Sequence, residues 1–484
     1  MKDLQELLDY VSYNQLIGPR NAAVTSITAN SRLAEAGSLF VAVKGTQADG
    51  HAYIDKAIEQ GAKVIVCETL PVERNPEVTY IVTSDSQDAL GNIAAAFYNY
   101  PSEKMIMVGV TGTNGKTTIT TLLYQLFRQL GHKVGLLSTV CNYIDDQAVP
   151  STHTTPDAVQ LQALLAQMAD AGCRYAFMEV SSHAIDQKRI AGICFDGAIF
   201  TNITRDHLDY HKTFQGYLDA KKRFFDTLPP HAFAVVNIDD KNGKIMVQNT
   251  QANVYSYSVK SPADFKGKIM EESLEGMLLQ INGKEVAVRL VGDFNALNLL
   301  AVYGATFLLH SHADEILRLM STLAPVAGRL DTIYGNNGVT AVVDYAHTPD
   351  AVANTLETLK KINKKGRIIT VIGCGGNRDK GKRPEMAKIA YKGSQQLVIT
   401  SDNPRNEKPE DIINDMMQGL SKEEQNEVIC IENREQAIKT ACKLAKAGDL
   451  ILVAGKGHEN YQEIEGVKHP FDDKKILENL LKDL

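Results

Sequence analysis

The sequence has no tryptophan, no Cys-x-x-Cys pair and no apolar run long enough to cross a membrane. Its seven cysteines are scattered, so it predicts neither a disulfide framework nor a zinc site. Acidic residues outnumber basic ones, giving a net charge of −7, which argues against a general nucleic-acid-binding protein. The first ten residues carry three acids and do not resemble a signal peptide. We therefore expect a cytoplasmic protein that neither inserts in a membrane nor binds nucleic acid.

The length of 484 residues is typical of about three domains. Short apolar runs alternate with helical patterns along the whole chain, and this alternation predicts an α/β fold. No low-complexity linker interrupts it, so we expect short hinges near Pro101 and near residues 325–328. The expected units are a small N-terminal α/β domain at residues 1–102 and two larger α/β domains at 103–327 and 328–484.

A glycine-rich loop opens the second unit, with the sequence Thr111-Gly112-Thr113-Asn114-Gly115-Lys116-Thr117-Thr118. The apolar run at 105–110 predicts a strand before it, and an amphipathic pattern predicts a helix after it, capped at Gly131. A strand, a glycine loop and Gly-Lys-Thr before a helix are typical of a phosphate-binding loop. Five residues, rather than the usual four, separate Gly109 from Gly115.

The physical chemistry of such a loop indicates a nucleoside triphosphate site. Backbone N–H groups and the helix N-terminus attract phosphate oxygens. Lys116 can reach the terminal phosphates, and the hydroxyl of Thr117 can bind Mg²⁺. The second unit is therefore predicted to be a central P-loop-type mononucleotide-binding domain.

Polar residues follow other apolar runs of this unit. Glu179 and His207 come after two of them, and ligands gather at the carboxyl ends of parallel strands. We expect both side chains within range of a metal bound to the triphosphate. Short strand-like pieces between 253 and 290 predict an antiparallel insertion. Asn295 and Asn298 then share one face at a helix start, where they either cap the helix or contact a nucleotide base.

The third unit repeats the pattern of a strand followed by polar residues four times. This predicts a C-terminal Rossmann-like doubly wound domain with its polar cluster on one rim. Thr348 and Pro349 fit the N-cap and first turn of a helix. The charged loop at 373–384 lacks G-x-G-x-x-G spacing, so it is either solvated or a site for phosphates and carboxylates.

These motifs occur together and in order along nearly the whole chain, and through them the sequence resembles the Mur ligase family. The segments that carry the resemblance are TGTNGKTT, MEVSSHAIDQKR, TNITRDHLDYH, YLDAKKRFF, GDFNALN, DYAHTPD, GCGGNRDKGKRP, DNPR and GKGHENYQ. The resemblance implies an ATP-dependent amide ligase of peptidoglycan precursor synthesis. ATP would phosphorylate the D-glutamate carboxylate of UDP-N-acetylmuramoyl-L-alanyl-D-glutamate, and an amine of meso-diaminopimelate would displace the phosphate.

The resemblance also implies which residues meet the UDP-linked substrate. They are Ala29, Ser31, Thr46, Gln47, Ala48, His153, Thr154, Thr155, Ser181, Gln187 and Arg189. Two positions depart from the family pattern: Asn30 stands where many members carry Asp, and His153 stands where some carry Asn.

The ATP contacts implied in the same way are Gly112, Thr113, Asn114, Gly115, Lys116, Thr117, Thr118, Asn295, Asn298, Arg329 and Asp344. The implied ligands of Mg²⁺ are Thr117, Glu179, His207 and a carbamylated Lys221, and the implied catalytic residues are Lys116, Glu179, His207 and Lys221. The incoming diaminopimelate would meet Arg378, Asp402, Asn403, Pro404, Arg405, Gly455 and Glu459. On charge pattern alone, the basic run at Lys221 reads as a solvated helix face.

Three alternatives stay open at this point. The lysine-adding ligase and folylpolyglutamate synthase are sister enzymes with the same chemistry. A nucleotide-gated ATPase or binding protein belongs to another class, although it would not need the third domain's cluster of Arg378, Arg405 and Glu459. We expect small-molecule substrates and a monomer.

Overall fold

The computed structural model of the protein describes residues 1–45, 48–151, 154–364 and 366–482. Within these ranges three main sheets form, each from one contiguous part of the chain. No helix in the described ranges is long and apolar enough to cross a membrane. The predicted contacts Thr46, Gln47 and His153 lie outside the described residues.

The first part of the chain folds around a five-stranded sheet of order β2-β7-β6-β5-β4. The strands β4 to β7 pair in parallel, and β5 and β6 are buried throughout, as expected of a parallel sheet covered on both faces. The elements are β1 (Lys2–Asp3), α1 (Leu4–Leu8), β2 (Gln15–Ile17), β3 (Ala23–Val24), β4 (Ser26–Thr28), β5 (Ser38–Val41), α2 (Ile54–Glu59), β6 (Val64–Cys67), β7 (Thr79–Val82) and α3 (Ser86–Phe97).

The central part forms an eleven-stranded sheet of order β11-β10-β9-β12-β8-β13-β14-β15-β16-β17-β18. Its elements are β8 (Ile106–Thr111), α4 (Lys116–Gln129), β9 (Val134–Leu137), β10 (Asn142–Ile144), β11 (Gln147–Val149), α5 (Ala158–Asp170), β12 (Tyr175–Glu179), α6 (Ser182–Asp186), β13 (Gly197–Phe200), α7 (Leu208–His211), α8 (Phe214–Asp226), β14 (Phe233–Asn237), α9 (Gly243–Met246), β15 (Asn253–Ser258), β16 (Phe265–Ser273), β17 (Gly276–Ile281), β18 (Lys284–Val288), α10 (Asp293–His310) and α11 (Ala313–Met320).

The central sheet is parallel from β9 to β16 and antiparallel at both edges. One face packs against α4, α10 and α11, and the other packs against α5, α6 and α8. Because β8, β12 and β13 are parallel neighbours, the residues after them meet at one rim. The expectation of an antiparallel insertion from residue 253 is wrong for β15, which pairs with β14 in parallel, so the antiparallel part begins after β16.

The last part of the chain forms a six-stranded sheet of order β19-β20-β24-β21-β22-β23, which is parallel except for β19. Thr348 accepts a hydrogen bond from the N–H of Ala351 and Pro349 follows it, so the predicted helix start is confirmed. The elements are β19 (Asp331–Tyr334), β20 (Thr340–Asp344), α12 (Pro349–Ile362), β21 (Ile368–Ile372), α13 (Lys382–Gly393), β22 (Gln396–Ile399), α14 (Pro409–Met417), α15 (Lys422–Glu427), β23 (Ile429–Cys430), α16 (Arg434–Leu444), β24 (Leu450–Ala454), β25 (Tyr461–Ile464), β26 (Val467–Pro470) and α17 (Asp473–Lys482).

A buried ion pair supports the rim of this third sheet. The Arg434 guanidinium donates to both carboxylate oxygens of Asp473 at 2.8 Å, and neither side chain is exposed. Arg434 also donates to the carbonyls of Ser401 and Ala454, at the ends of β22 and β24. The loops that carry the predicted amino-acid contacts other than Arg378 leave the sheet at these two points.

We predict that Arg434→Ala destabilises the third domain by about 3–5 kcal/mol, because it leaves the Asp473 carboxylate buried without a partner. Urea unfolding followed by far-ultraviolet circular dichroism measures this, since the protein has no tryptophan. Lys439→Ala is the control, because its pair with Glu435 on the same helix is exposed and contributes about 0.5 kcal/mol or less. Equal unfolding midpoints for the two variants would contradict the prediction.

Candidate functional site

The phosphate-binding loop has the backbone that the glycines predict. Gly112 and Gly115 have φ of +153° and +91°, which favour glycine. A Cβ on Gly112 would lie 1.8 Å from Thr201 Oγ1, and one on Gly115 would lie 2.5 Å from Asn298 Oδ1. The loop therefore leaves no room for a side chain at these two positions, and α4 begins directly after it with Lys116.

Two lysines converge on one carbonyl of this loop. Lys116 Nζ donates to the Gly112 and Thr113 carbonyls at 2.9 Å. Lys221 Nζ donates to the same Gly112 carbonyl at 2.8 Å and lies 4.8 Å from the centre of the Tyr217 ring. The solvated-face interpretation of the basic run is wrong for Lys221, whose residue is 1% exposed. Burial, reinforced by the charge of Lys116, lowers the pKa of Lys221 well below its usual value.

A cavity of about 310 Å³ opens beside the loop, between the central and third domains. We call it the phosphate-loop cavity. It is lined by Thr113, Asn114, Gly115, Lys116, Thr117, Thr139, Thr154, Thr155, Glu179, Ser181, Ser182, His183, Arg189, Asp206, His207, Lys221, Arg329, Tyr345, His347 and Arg378. The fold thus brings the four predicted metal ligands, Lys116 and Arg378 to one cavity.

Glu179 ends β12 and is held in a fixed orientation. Its two carboxylate oxygens accept from the backbone N–H and the hydroxyl of Thr139, at 2.8 and 3.1 Å. Thr155 donates to the Glu179 carbonyl at 2.9 Å. These contacts come from the ends of the neighbouring β9 strand and of the segment before α5, so the carboxylate is prepositioned at the sheet rim.

His207 lies in the left-handed region, with φ of +54°, at the start of α7. Its ring approaches the rings of His183 and Tyr217, with centroids 4.8 and 6.0 Å away. Burial lowers the pKa of His207, against the opposing effect of the neighbouring Asp206 carboxylate. Burial likewise lowers the pKa of His183 to about 4, so both imidazoles are neutral at pH 7 and available as donors of a lone pair.

The hinge region brings the third domain onto this loop. Arg329 Nη2 donates to Thr117 Oγ1 at 3.0 Å, and its guanidinium lies 4.5 Å from the centre of the Tyr345 ring. Gly328 has φ of +67°, and a Cβ there would lie 2.1 Å from the backbone nitrogen of His458. The predicted hinge is therefore packed directly against the loop after β24.

Asp344 ends β20 and faces inward. It accepts from the N–H groups of Leu330 and Ala346 at 2.7 and 2.9 Å. Burial raises its pKa, while these hydrogen bonds and Arg329 oppose that rise.

A second cavity, of about 80 Å³, lies on the other side of Asn114. We call it the base-side cavity; its lining includes Thr118, Phe294, Asn298, Asp344, Asp350, Asn354 and Thr355. Asn298 lines it, whereas Asn295 does not and instead accepts from the Asn298 amide at 3.0 Å. The Asn295 amide donates to the carbonyl of Val291. The two asparagines therefore play different parts, and neither is the N-cap of α10, which is Gly292.

The predicted amino-acid contacts of the third domain form a hydrogen-bonded group. Asn403 donates to Glu459 Oε2 at 2.7 Å, and the buried Lys456 donates to both residues at 2.9 and 3.0 Å. Burial and Asp402 raise the pKa of Glu459, and Lys456 opposes them. Gly455 has φ of +115°, and a Cβ there would meet Asp402 Oδ2 at 2.4 Å.

The two predicted arginines of this domain differ in position. Arg378 lines the phosphate-loop cavity, and Arg405 is not among its lining residues. Arg405, with φ of +52°, donates to the Gly376 carbonyl at 2.8 Å and lies 3.3 Å from Glu463 Oε2. Its guanidinium is thus held beside the loop that carries Arg378. Pro404 precedes it and is buried.

The contacts predicted for the UDP-linked substrate fall into two groups. Thr154, Thr155, Ser181 and Arg189 line the phosphate-loop cavity, and Gln187 accepts from Arg189 at 2.7 Å. The others lie in the first domain, where Ala29 directly follows β4, Ser31 begins a 3₁₀ turn capped by Asn30, and the exposed Ala48 lies beyond β5.

Models of this family match three parts of the chain. They are described as the Mur ligase family catalytic domain, at residues 23–98, the Mur ligase middle domain, at 110–306, and the Mur ligase glutamate ligase domain, at 328–457. A UDP-N-acetylmuramoyl-L-alanyl-D-glutamate–2,6-diaminopimelate ligase of Phocaeicola vulgatus is 58% identical over 478 residues, which covers 99% of each chain. The protein belongs to the Mur ligase family.

Further relatives of this Mur ligase carry the same name. One from Cytophaga hutchinsonii is 52% identical over 482 residues, again covering 99% of each chain. A solved structure of a ligase with this name is 33% identical, has a TM-score of 0.68, and matches 99% of this chain and 98% of that one. The three-domain α/β architecture expected from the sequence is thereby confirmed.

Sequence reasoning missed several residues of this Mur ligase site. Thr139, His183 and His347 line the phosphate-loop cavity, and Lys456 connects Asn403 to Glu459. His183, His347 and Lys456 lie inside the motifs SSH, DYAH and GKGHE, so their place in these motifs could have marked them as site residues. Thr139 had none, because its role depends on the pairing of β9 with β12.

Among the described residues, no group of three or more His, Cys, Asp and Glu side chains is arranged to hold a metal ion. The predicted set contains only Glu179 and His207 of these types, and its other members are a hydroxyl and a lysine.

We predict that Gly112→Ala weakens ATP binding by about tenfold or more, because the Cβ clashes with Thr201 and the φ value is strained. Fluorescent-nucleotide titration measures it. Gly131→Ala is the control, since Gly131 also has positive φ but no atom lies within 4 Å of its added Cβ. Unchanged nucleotide affinity in Gly112→Ala would contradict the role of the loop.

Proposed function

We propose that the protein is the ATP-dependent ligase that adds meso-diaminopimelate to UDP-N-acetylmuramoyl-L-alanyl-D-glutamate in cytoplasmic peptidoglycan precursor synthesis. It forms ADP and phosphate and acts as a monomer. The observation that carries the proposal is the phosphate-loop cavity, in which the P-loop of the central domain faces Arg378 and Arg329 of the third. The names of relatives at 52–58% identity support the substrate.

The proposed reaction has two steps. The substrate's γ-carboxylate attacks the terminal phosphorus of ATP, which gives an acyl phosphate and ADP. An unprotonated amine of diaminopimelate then attacks the acyl carbon, and the tetrahedral intermediate expels phosphate to leave an amide. Anionic charge develops in both steps, so fixed cations are the main requirement. Lys116 and Arg329 supply them at the loop, and Arg378 does so from the opposite wall.

We propose that the nucleotide occupies the loop and the base-side cavity. In the proposal, the N–H groups at the start of α4 hold the phosphates. Asn298, backed by Asn295, and Asp344 line the route toward the sugar and base. In the proposal, the first domain holds the UDP group through Ala29, Ser31 and Ala48, together with Thr46 and Gln47, which lie outside the described residues. His153, also outside them, belongs to the contacts proposed for the sugar-peptide part.

The donor set fits Mg²⁺ if Lys221 is carbamylated. A hydroxyl from Thr117 and a carboxylate from Glu179 are hard oxygen ligands, and His207 is held neutral by burial. An ammonium has no lone pair, but CO₂ adds to a neutral amine and gives a carboxylate. The buried Lys221, whose pKa is lowered, suits that addition. Bound Mg²⁺ would neutralise phosphate charge.

The lysine-adding alternative differs by one carboxylate of the amino acid. Diaminopimelate carries a second carboxylate at its far end, and an arginine can hold such a group with two parallel hydrogen bonds. Arg405 follows Asn403 in the chain and lies beside the Arg378 loop. We therefore propose that Arg405 selects diaminopimelate.

We predict that the protein ligates diaminopimelate far better than lysine, by up to about 10⁴-fold, because a site built for a charged hydrogen bond rejects the analogue that lacks it. Arg405→Ala is expected to lose diaminopimelate addition while keeping its affinity for ATP. Parallel ligation assays with the two amino acids measure the preference for diaminopimelate and its loss, and nucleotide titration measures the affinity for ATP. Equal turnover of lysine and diaminopimelate by the unmutated enzyme would contradict the proposal, and phosphate release independent of any amino acid would favour an ATPase.

We also predict that Lys221→Ala nearly abolishes ligation, because it removes the proposed carbamate. Acetate or formate is expected to restore part of the activity by supplying carboxylate oxygens. Lys222→Ala is the matched control, since the next residue of α8 bonds to Asp226 at 2.6 Å and does not line the cavity. Near-normal turnover of Lys221→Ala would rule the carbamate out.

A further inference from the structure

An ion pair crosses from the central domain to the loop between β21 and α13. Arg205 Nη2 lies 3.2 Å from Asp379 Oδ2, and Arg205 Nε donates to the same oxygen at 3.3 Å. The other oxygen of Asp379 accepts from the N–H of Gly381 at 2.9 Å, so the carboxylate is oriented toward the central domain. A Cβ on Gly381 would lie 2.7 Å from Arg205 Nη2, so the guanidinium packs where this glycine has no side chain.

Both partners are next to residues of the phosphate-loop cavity. Arg205 precedes Asp206 and His207, and Asp379 follows Arg378. The cavity lining includes Asp206, His207 and Arg378. The ion pair therefore ties the segment that carries His207 to the segment that carries Arg378.

The other side of the Arg378 loop is fixed within the third domain. Glu407 accepts from Arg383 at 2.9 Å and lies 3.1 Å from Lys380 Nζ. Arg383 is almost fully buried and also donates to Asp415. Glu407 therefore sets where the loop lies in its own domain, and Arg205 sets where it lies against the central domain.

Apolar contacts, rather than an ion pair, join the start of α10 to the third domain. Val291 and Phe294, at the start of α10, pack against the hydrophobic core of the third domain. Such apolar contacts do not depend on charge. The Arg205 side chain, by contrast, is 48% exposed and that of Asp379 is 16% exposed. An ion pair that water reaches from one side is weak enough to form and break repeatedly.

We propose that Arg205 and Asp379 are positioning residues: their ion pair forms when the third domain closes and fixes Arg378 opposite the His207 segment. The inference rests on the proposed function, in which Arg378 meets the incoming amino acid. Neither residue touches the reacting atoms. Their effect is on the KM for the amino acid, and ATP binding to the central domain does not depend on them.

The test is a charge swap in the full-length enzyme. Arg205→Ala is expected to raise the KM for diaminopimelate about two- to fivefold with the KM for ATP unchanged, the range that exposed ion pairs give. Arg205→Asp and Asp379→Arg, which each place like charges together, are expected to raise it about tenfold. The double variant Arg205→Asp with Asp379→Arg is expected to return within about twofold of the unmutated enzyme.

Arg318→Ala is the control, since it removes an exposed arginine of the same domain away from the cavity. The difference in the KM for diaminopimelate between the unmutated enzyme and Arg205→Ala is expected to shrink in about 0.5 M salt, where exposed charges are screened. A normal KM in Arg205→Asp would overturn the inference, as would a double variant no better than its single variants. A parallel rise in the KM for ATP together with a lower melting temperature would show a purely structural role and overturn it too.

Failure of the proposed function has a different signature. An unmutated enzyme that does not ligate diaminopimelate contradicts the function but leaves closure measurable. Small-angle scattering with an ATP analogue and the UDP-dipeptide then decides the inference. The radius of gyration is expected to fall for the unmutated protein and the double variant, and to fall less for Arg205→Asp. Equal compaction in all three would overturn the ion pair's role.

Discussion

The site depends on the carbonyl oxygen of Gly112, which accepts hydrogen bonds from two lysines, the partly buried Lys116 and the buried Lys221. Lys116 belongs to the loop, and Lys221 reaches the Gly112 carbonyl from α8, 109 residues after Gly112 in the chain. Two ammonium groups this close repel each other in a medium of low polarity. The fold resolves the conflict by keeping Lys221 buried, which favours its neutral form. The backbone of the loop, the packing of α8 and the charge state of Lys221 therefore depend on one another.

The third domain shows a related balance of charge. The buried Asp402 and the partly buried Glu459 influence each other's charge, and the buried Lys456 donates to Glu459 and to Asn403, the residue after Asp402. Burial favours the neutral form of Asp402, but Lys456 and Arg434 keep its pKa below the usual value. Glu459, with its raised pKa, is the more easily protonated of the two. The hydrogen bonds from Asn403 and Lys456 also fix the orientation of the Glu459 carboxylate.

Local sequence patterns predicted much of the fold and of the candidate site. The phosphate loop, the polar residues after parallel strands and the Thr348 cap each depend on a few neighbouring residues, so a single sequence contains them. The sequence did not predict the parallel pairing of β15. Whether a six-residue strand pairs in parallel or antiparallel depends on the strand beside it, which its own residues do not reveal. The different parts of Asn295 and Asn298 depend on side-chain hydrogen bonds. The contacts of Arg329 with Thr117 and of Arg205 with Asp379 join residues far apart in sequence, where no periodicity reaches.

The packing of Gly328 against the backbone of His458 has a mechanical consequence. In a rigid rotation, the path of each atom is proportional to its distance from the axis. If the third domain turns about Gly328, the loop with Gly457 and His458 sits at the pivot and travels a short arc. Glu459, the next residue after His458, then keeps nearly the same position relative to the central domain throughout the rotation. Parts of the third domain farther from Gly328 move through longer arcs.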